Sequence, residues 1–302
     1  MRTAESVVSA LRTRGELWDV APGIVGLRGE ALVLLRSLER EIALLAQREA
    51  PEEWAAPPAL PLRTLEHAEY FSSFPFWLTA ASHLPDDESA LEGIATDVEP
   101  VLAARAAARC SEVALPPALC YHVFERLAGR SLAAKELVTL SGTCWRHEGP
   151  RLSALERQWA FTMREIVCVG AASEVEEFRQ RGMRRAGVLA SRLDLDAGFL
   201  VATDPFFAPT ARGKAIVQRV KALKHELALP IGEERSTAAA SFNNHEQFFG
   251  EAFGITLPTG EVASSGCVAF GLERWLLAFL VAHGVDRTAW PALDTTFAEV
   301  ES

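Results

Sequence analysis

Cys144-Trp145-Arg146-His147-Glu148 closes an apolar, β-branched run and decides the fold together with a second stretch, Gly271-Leu272-Glu273-Arg274. The run before the first stretch, Leu137-Val138-Thr139-Leu140, predicts a strand. The second stretch opens a segment that is apolar nearly all round, which predicts a helix over Leu272–His283 that is buried against a sheet. A charged strand end and a charged helix start therefore belong to one predicted core.

A second strand is predicted to follow the first after a loop at residues 149–157. Over residues 158–169 the even positions are mostly polar up to Arg164 and the odd positions are mostly apolar, which is the period of a half-buried strand. Arg146, Glu148 and Glu165 would then face inward, where charged groups need partners or ligands. The other predicted elements are a strand or helix start at 119–124, charged helices over 173–192 and 211–226, and short strands near 225–231, 236–243 and 264–270.

The N-terminal 48 residues predict two helices, because apolar residues recur at helical spacing at Val7–Leu11 and again over Ala31–Leu45. Ala21-Pro22-Gly23 marks the break between them. A proline-rich connector follows at residues 50–62. We expect one catalytic domain over residues 1–302, with a helical segment at 1–60 and the core at 63–302. Helices followed by antiparallel strands and a closing helix predict an α+β fold rather than a doubly wound parallel sheet.

The composition indicates a folded protein with reduced thiols. Hydrophobic residues make up 49% and charged residues 23% of the chain. The net charge of -10 argues against broad nucleic-acid binding, which depends on Lys and Arg neutralising phosphates. The sequence contains no apolar run long enough to span a bilayer and no signal-peptide pattern at its start. Five scattered cysteines without a CxxC pair predict a cytoplasmic protein rather than a disulfide framework.

The two charged stretches have simple explanations when each is taken alone. Arg146 and Glu148 have the same-face spacing of a strand and could form an edge ion pair. Glu273 suits the dipole of a helix start, and Arg274 could be an ordinary surface residue. Both stretches in this order, with these elements around them, favour a site in which two arginines and a glutamate hold a triphosphate.

Five segments together resemble the amino acid:[carrier protein] ligases, which are truncated homologues of seryl-tRNA synthetase without its tRNA-binding arm. The first and last segments resemble motifs 2 and 3 of the class II aminoacyl-tRNA synthetases, with Trp145 in place of the more usual Phe. The resemblance covers about residues 110–285 and implies a class II synthetase-like antiparallel sheet flanked by helices. The segments are Trp145–Glu148, Phe161–Glu165, Asp204–Phe207, Ser241–Asn243 and Cys267–Arg274.

The resemblance implies a zinc site formed by Cys120, Glu165 and Cys267, with an open position for the substrate's α-amino group. Thiolate and carboxylate groups are suitable zinc ligands, and catalytic sites keep one position free. Taken alone, scattered cysteines are more often buried apolar residues, and the other three keep that interpretation. On composition, three histidines are also possible ligands: His122, His147 and His245.

The resemblance also implies ATP-binding roles. Arg146 would hold the α-phosphate and the substrate carboxylate, where negative charge grows during the reaction. Glu148 would accept the adenine amino group, and Arg274 would cover the adenine or reach the γ-phosphate. Phe161 would lie beneath the adenine, with plain core packing as the alternative. Arg146, Glu165 and Arg274 are the implied catalytic residues.

Looser matches complete the implied site. Arg157 and Gln158, at the end of the predicted loop, would contact ATP. Glu226 would contact ATP or its Mg²⁺, and Asn243 would contact the aminoacyl group, so that Glu165 and Asn243 bind the substrate.

The implied activity has two steps, in which a small amino acid, glycine or alanine, is activated by ATP and then transferred. The first step forms aminoacyl-adenylate and pyrophosphate, and the second forms a thioester on the phosphopantetheine of a carrier protein. The family further implies a homodimer, and neither tRNA nor membrane is an expected partner. The alternatives are a non-catalytic binding paralogue, which would not need every phosphate-handling group, and a tRNA aminoacylator, which is disfavoured by the acidic charge and the lack of a coiled-coil arm.

Carrier proteins of this kind are usually acidic, so we expect a basic docking surface. The Arg-rich helix at 179–192 and the basic helix at 211–224 are the candidates, and an ordinary solvated face explains each of them equally well. Charge reversal at Arg181, Arg184 and Arg185 is expected to weaken transfer and spare adenylate formation.

Overall fold

The computed structural model describes residues 2–207 and 212–291, apart from the side chain of Arg212. Over these ranges the chain forms helices on both sides of a central sheet. The helices are α1 (Ala4–Thr13), α2 (Gly29–Gln47), α3 (Leu62–His67), α4 (Tyr70–Ser73), α5 (Glu88–Thr96), α6 (Pro100–Ala107), α7 (Cys120–Leu127), α8 (Ala172–Arg192), α9 (Arg212–Val220), α10 (Phe248–Phe253) and α11 (Leu272–His283). The strands are β1 (Leu17–Ala21), β2 (Ile24–Leu27), β3 (Glu52–Glu53), β4 (Leu60–Pro61), β5 (Thr79–His83), β6 (Arg109–Leu115), β7 (Glu136–Trp145), β8 (Ala160–Gly170), β9 (Gly198–Val201), β10 (Lys224–Pro230), β11 (Ser236–Glu246) and β12 (Ser264–Gly271).

The central sheet has seven strands in the order β3-β7-β8-β12-β11-β10-β9. Every neighbouring pair is antiparallel except β3 and β7, which are parallel. The predicted antiparallel pair is β7 and β8, and the α+β class is confirmed. A smaller sheet, β4-β6-β5, and the β1–β2 hairpin lie outside the central sheet.

Alternate residues of the middle strands face opposite layers of the core. In β8 and β12, Ile166 and Val268 pack in one hydrophobic cluster with α1, α2, α8 and α11. Val167 and Cys267 pack in the other cluster with α7 and α10. Since successive side chains of a strand point to opposite faces, Glu165 belongs to the second face. The chemistry predicted for β8 and β12 therefore lies on the α7 side of the sheet.

The N-terminal segment differs from its prediction at one place. Helices α1 and α2 form as expected, and both pack on the core. Between them the chain makes the β1–β2 hairpin instead of a simple break. Pro22 fixes the second position of the turn, and Gly23 adopts φ 72° at the third, a combination that favours a tight reversal. The β-branched residues on either side then pair as strands.

The segment at 119–124 is the start of helix α7, which is one of the two alternatives predicted for it. Two further boundaries differ from the sequence-based expectation. Helix α9 ends at Val220, because Ala222 adopts φ 49° and turns the chain, so that Lys224 begins β10 rather than continuing a basic helix. Strand β7 ends at Trp145, so Arg146 and Glu148 follow the strand instead of sharing one of its faces. Residue 211 and the side chain of Arg212, which belong to the predicted basic helix, and residues 292–302 lie outside the description.

A membrane-spanning helix is not found among the residues that the structure describes.

The Arg-rich face of α8 is partly a structural contact rather than a free basic surface. Arg181 donates two hydrogen bonds to the carboxylate of Glu49 at 2.9 and 3.0 Å, and Arg185 binds the same group. The Glu49 side chain is 7% exposed. Burial acts to raise the pKa of Glu49, but the hydrogen bonds and charges of the two arginines hold it below its usual value. Arg184 is exposed and remains available to a partner.

We predict that Arg181→Glu lowers the free energy of unfolding by about 2 kcal/mol, because buried Glu49 loses one of its two arginine partners and gains a negative charge beside it. Arg184→Glu on the same helix is the matched control and should change it by less than about 0.5 kcal/mol. Urea unfolding followed by circular dichroism measures both. Equal stability of the two variants would contradict the structural role of Glu49.

Candidate functional site

A single cavity on the α7 side of the sheet brings together most of the residues singled out in the sequence. It is bounded by β8, β10, β11 and β12, by the loop that follows β7, and by the starts of α7 and α11. Arg157 is the predicted site residue outside its lining. The predicted residues that line it are Cys120, Arg146, Glu148, Gln158, Phe161, Glu165, Glu226, Asn243, Cys267 and Arg274.

Cys120, Glu165 and Cys267 form a compact cluster at the floor of this cavity. All three are buried, and one ligand atom of each lies within 4.8 Å of the others. Cys120 is the first residue of α7, whereas Glu165 and Cys267 lie on the neighbouring strands β8 and β12. Two thiols and a carboxylate are a donor set that zinc accepts, and three protein ligands leave a fourth position open. The residues present therefore fit a zinc ion.

Glu165 holds the cluster together through the start of α7. One carboxylate oxygen accepts a hydrogen bond from the backbone N–H of Leu119 and the other from that of Cys120, both at 2.9 Å. Burial and the nearby Cys267 sulfur raise the pKa of Glu165 to about 7, against the opposing effect of the Leu119 bond. Each carboxylate oxygen keeps a second lone pair, so these bonds are compatible with metal ligation.

Two side chains of β11 place nitrogen atoms next to the sulfur of Cys267. Asn243 lies directly opposite Cys267 in the β11–β12 register, and its Nδ2 is 3.3 Å from the sulfur. His245 places Nε2 3.7 Å from the same sulfur, and its Nδ1 lies 3.1 Å from the hydroxyl of Ser265. Residues that hydrogen-bond a metal ligand orient it. His245 thus lies beside the cluster, whereas the motif comparison did not select it.

The pKa values of the two thiols in the cluster are shifted in opposite directions. A hydrogen bond from Cys120, with further bonds from His245 and Asn243, lowers the pKa of Cys267 although burial opposes the shift. The same bond to Cys267, together with burial and the charge of Glu165, raises the pKa of Cys120. Cys267 is therefore the sulfur that loses its proton first, and thiolate is the form that binds zinc.

Arg146 lies over aromatic rings at the upper wall of the cavity. Its guanidinium carbon is 5.2 Å from the centre of the Trp77 ring and 5.5 Å from that of Phe161. Its Nε donates to the carbonyl of Pro117 at 2.8 Å, which leaves the remaining guanidinium N–H groups for other acceptors. Phe161 thus lines the cavity and contacts Arg146, so it is more than a core residue.

The loop between β7 and β8 folds back on the cavity and is held by its own polar groups. Arg157, whose side chain is 43% exposed, donates to the carboxylate of Glu148 at 2.9 Å. Gln158 accepts from the N–H of Leu155 at 2.8 Å and donates to the carbonyl of Ala160 at 2.7 Å. In this arrangement Arg157 contacts a cavity residue, Glu148, without lining the cavity itself. The two hydrogen bonds of Gln158 hold the end of the loop in place.

The start of α11 is fixed to the sheet and to the same loop. Arg274 donates to the carbonyl oxygens of Glu156 at 2.7 Å and Ala238 at 2.9 Å. Glu273 accepts the backbone N–H of Thr162 with both carboxylate oxygens at 2.9 Å, and burial raises its pKa. The sequence suggested a general helix-dipole role for Glu273. The structure instead shows a specific contact between α11 and β8.

Sequence reasoning missed a buried charge cluster at the edge of the cavity. Lys224 binds Asp204 at 2.6 Å and Glu226 at 3.1 Å. Burial acts against the charged form, but the two carboxylates more than offset it and raise the pKa of Lys224. Lys224 was assigned to a basic docking helix because its place at the start of β10 was not recognised. Glu226 lies two residues further along the chain, which is the same-face spacing of a strand. This spacing was the sequence signal that could have predicted the Lys224–Glu226 pair.

An aromatic wall was also missed. The predicted core packing of the aromatic residues around 70–77 is confirmed for Tyr70, Phe74 and Trp77, and the same three side chains also line the cavity. Phe74 stacks on Trp77 and on Phe206, with ring centres 5.3 and 5.2 Å apart. The hydroxyl of Tyr70 and the indole N–H of Trp77 are buried and have no hydrogen-bond partner within residues 2–207 and 212–291. Buried donors of this kind are usually paired, so the wall is suited to a ligand with acceptor groups.

The structure is similar to that of a class II aminoacyl-tRNA synthetase. The seryl-tRNA synthetase of M. kandleri, solved in complex with tRNASec of A. aeolicus, superimposes with a TM-score of 0.86 and 20% sequence identity. The match covers 97% of this chain and 60% of the M. kandleri chain, so the present chain spans less than two thirds of that synthetase. The predicted class II synthetase-like fold is confirmed.

Sequence comparison identifies the family. No protein-family model matches the chain. Amino acid–[acyl-carrier-protein] ligase 1 of Bradyrhizobium diazoefficiens is 36% identical over 260 residues, covering 84% of this chain and 79% of the relative. Ligase 2 of the same organism is 34% identical over 274 residues, covering 89% and 81%. The chain belongs to the amino acid–[acyl-carrier-protein] ligases, an enzyme family of ATP-using ligases, as the resemblance of its motifs indicated.

Proposed function

We propose that the protein activates a small amino acid with ATP and transfers it to the phosphopantetheine thiol of a carrier protein. The observation that carries the proposal is the shared cavity, in which arginines suited to phosphate lie beside a Cys-Glu-Cys cluster suited to an amine-binding metal. Family membership supports the same reaction, because both relatives are named as ligases of an amino acid and an acyl carrier protein.

In the first step the amino-acid carboxylate attacks the α-phosphate of ATP, and pyrophosphate leaves. Arg146 holds the carboxylate and the α-phosphate, where positive charge offsets the charge that grows in the transition state. Arg274 holds the adenine or the γ-phosphate, and Phe161 provides a ring face for the base. Glu226 is the candidate contact for Mg²⁺. Glu148, now bound by Arg157, accepts the adenine amino group when ATP is present.

Cys120, Glu165 and Cys267 would hold a zinc ion, which would supply a Lewis-acid contact for the free α-amino group of the substrate. Asn243 and His245 orient the Cys267 sulfur, and Asn243 also contacts the aminoacyl group.

The surroundings of the cluster support a small substrate, glycine or alanine. Tyr121, next to Cys120, lies edge-on to the rings of Tyr70 and Phe249, with centres 6.0 Å apart in each case. These three rings and the cluster line the same cavity, so we expect the aromatic side chains to limit the room for a long substrate side chain.

In the second step the carrier thiol attacks the adenylate carbonyl, a thioester forms and AMP leaves. Because Arg181 and Arg185 bind Glu49, the docking proposal now rests on exposed groups of α8 such as Arg184. We place the reaction in the cytoplasm, with a carrier protein rather than tRNA as the acceptor.

Amino-acid-dependent exchange of labelled pyrophosphate into ATP tests the first step. We expect exchange with glycine or alanine and, with Arg146→Ala, a loss of about 100-fold or more, since removing one charge-stabilising group costs that much. Incubation with labelled amino acid and either holo carrier protein or tRNA then tests the acceptor. No exchange with any amino acid would favour a non-catalytic binder, and label on tRNA would favour a tRNA aminoacylator.

We predict that the purified protein contains about one zinc ion per chain and that Cys267→Ala removes it. The two remaining protein ligands, Cys120 and Glu165, are too few to retain the ion. Cys168→Ala is the matched control, since Cys168 is equally buried but faces the other layer of the core. Elemental analysis by mass spectrometry measures both variants. Equal zinc in the wild type and Cys267→Ala would rule out the cluster as the metal site.

We also propose a homodimer that uses α5 and α6. Neither helix has a buried residue in the described structure, and three apolar side chains there are 97%, 73% and 58% exposed, those of Val98, Val101 and Leu102. Contiguous exposed apolar surface is typical of protein interfaces. We expect a second copy of the chain to cover this surface.

Sedimentation velocity tests the homodimer. The wild type should sediment at twice the chain mass of 32.9 kDa, and Leu102→Glu should shift it toward the monomer. Val20→Glu, which changes a 64% exposed apolar residue elsewhere, should leave the dimer intact. A monomeric wild type at micromolar concentration would contradict the proposal.

A further inference from the structure

The β1–β2 hairpin is anchored at its base and reaches across the protein to the loop between β7 and β8. At the base, Leu17 is buried, and the carbonyl of Glu16 accepts the N–H of Arg28 at 2.9 Å. The Glu16 carboxylate accepts the N–H of Ala31 at 2.8 Å, which ties the hairpin to the start of α2. The middle of the hairpin is exposed, with Trp18 at 48%. Its two ends therefore fix its position.

The tip of the hairpin binds the end of the loop through backbone groups. The carbonyl of Gly23 accepts the N–H of Trp159 at 2.7 Å and that of Ala160 at 3.3 Å. The carbonyl of Trp159 in turn accepts the N–H of Arg146 at 2.8 Å. One residue, Trp159, thus connects the hairpin tip to the backbone of the arginine that lines the cavity.

Glycine is required at the tip for two reasons. Gly23 has φ 72°, a conformation that residues with a side chain rarely adopt. A Cβ atom there would lie 2.8 Å from the backbone nitrogen of Trp159 and 2.9 Å from a methyl carbon of Leu152. Both contacts belong to the loop that carries Glu148, Arg157 and the adjoining Gln158. Any larger residue would push the loop away from the hairpin.

We propose that Gly23 is a positioning residue for ATP, acting through the loop at residues 146–159. The hairpin fixes the loop from the N-terminal side, while Arg274 fixes it from α11 through the carbonyl of Glu156. The loop residues then meet the nucleotide without first having to be ordered, which saves binding free energy. This inference rests on the proposed function, because it assigns the loop to ATP. It also gives residues 17–27 a role in the reaction although none of them lines the cavity.

The experiment compares the wild type with four variants. Gly23→Ala introduces both the strained conformation and the clash, whereas Gly23→Asn introduces the clash with a residue that tolerates positive φ better. Gly15→Ala is the control within the same segment, because Gly15 has φ 64° but its added Cβ would meet the movable Arg28 guanidinium. Gly260→Ala is the control for strain alone, since Gly260 has φ 86° and open space around it.

We expect both Gly23 variants to raise the KM for ATP in pyrophosphate exchange by about tenfold, since misplacing a binding group by about 1 Å can cost up to 100-fold. The zinc content should stay within about twofold, because the Cys120-Glu165-Cys267 cluster lies on α7, β8 and β12 and not on the loop. The KM for the amino acid should rise less than the KM for ATP, because Arg146 is the one loop residue assigned to the amino-acid carboxylate. The two control variants should resemble the wild type in both KM values. An unchanged KM for ATP, or an equal rise in both KM values, would overturn the proposal.

Amide hydrogen exchange tests the coupling independently of activity. In Gly23→Ala the N–H groups of Trp159, Ala160 and Arg146 should exchange faster than in Gly15→Ala and Gly260→Ala, while the amides of β12 keep their protection. If the wild type shows no pyrophosphate exchange, the proposed function fails, and this measurement still decides the coupling. Unchanged protection of the Trp159 and Arg146 amides in both Gly23 variants would overturn it.

Discussion

The buried carboxylate of Glu165 is the constraint on which the arrangement of the site depends. A carboxylate in the core is costly unless it is hydrogen-bonded, and here the first N–H groups of α7 satisfy it. A helix start is a favourable place for negative charge, so α7 is held against β8 at this point. Cys120, the first residue of that helix, is thereby placed beside Cys267 on β12. The metal cluster is a consequence of how Glu165 is paired.

The two faces of the central sheet have different roles. The side of β8 and β12 that faces α1, α2, α8 and α11 is mostly apolar, with Arg164 paired to Glu39 of α2, and it stabilises the fold. The other side carries the cluster, the aromatic wall and Arg146. Glu165 and Cys267, two of the three proposed metal ligands, lie on the strands β8 and β12. Arg146 and Arg274, which we propose to bind ATP, lie just past β7 and at the start of α11. The loop between β7 and β8 is fixed by contacts with Gly23 and Arg274. Loop residues and strand residues therefore both line one cavity.

The N-terminal segment illustrates how far pattern reasoning reaches. Helical spacing predicted α1 and α2 correctly, because each has one apolar face that must be buried. The β1–β2 hairpin was missed, since Pro22 and Gly23 mark a turn but do not say what the chain does on either side. Likewise, the aromatic residues near Trp77 were assigned to the core from composition, whereas their exposure to the cavity depends on segments distant in sequence, such as Phe206.

The sequence by itself determined the elements and the family. Alternation in β8, the apolar stretch of α11 and the order of five motifs are local properties, so they predicted the α+β sheet, the Arg146 and Arg274 positions and the ligase resemblance. Which groups meet was decided by the tertiary structure. Cys120 reaches Cys267 because a buried carboxylate binds the start of α7, and Arg181 meets Glu49 because α8 packs near the end of α2. Such contacts join residues far apart in the chain, and a sequence pattern records the residues without the packing that brings them together.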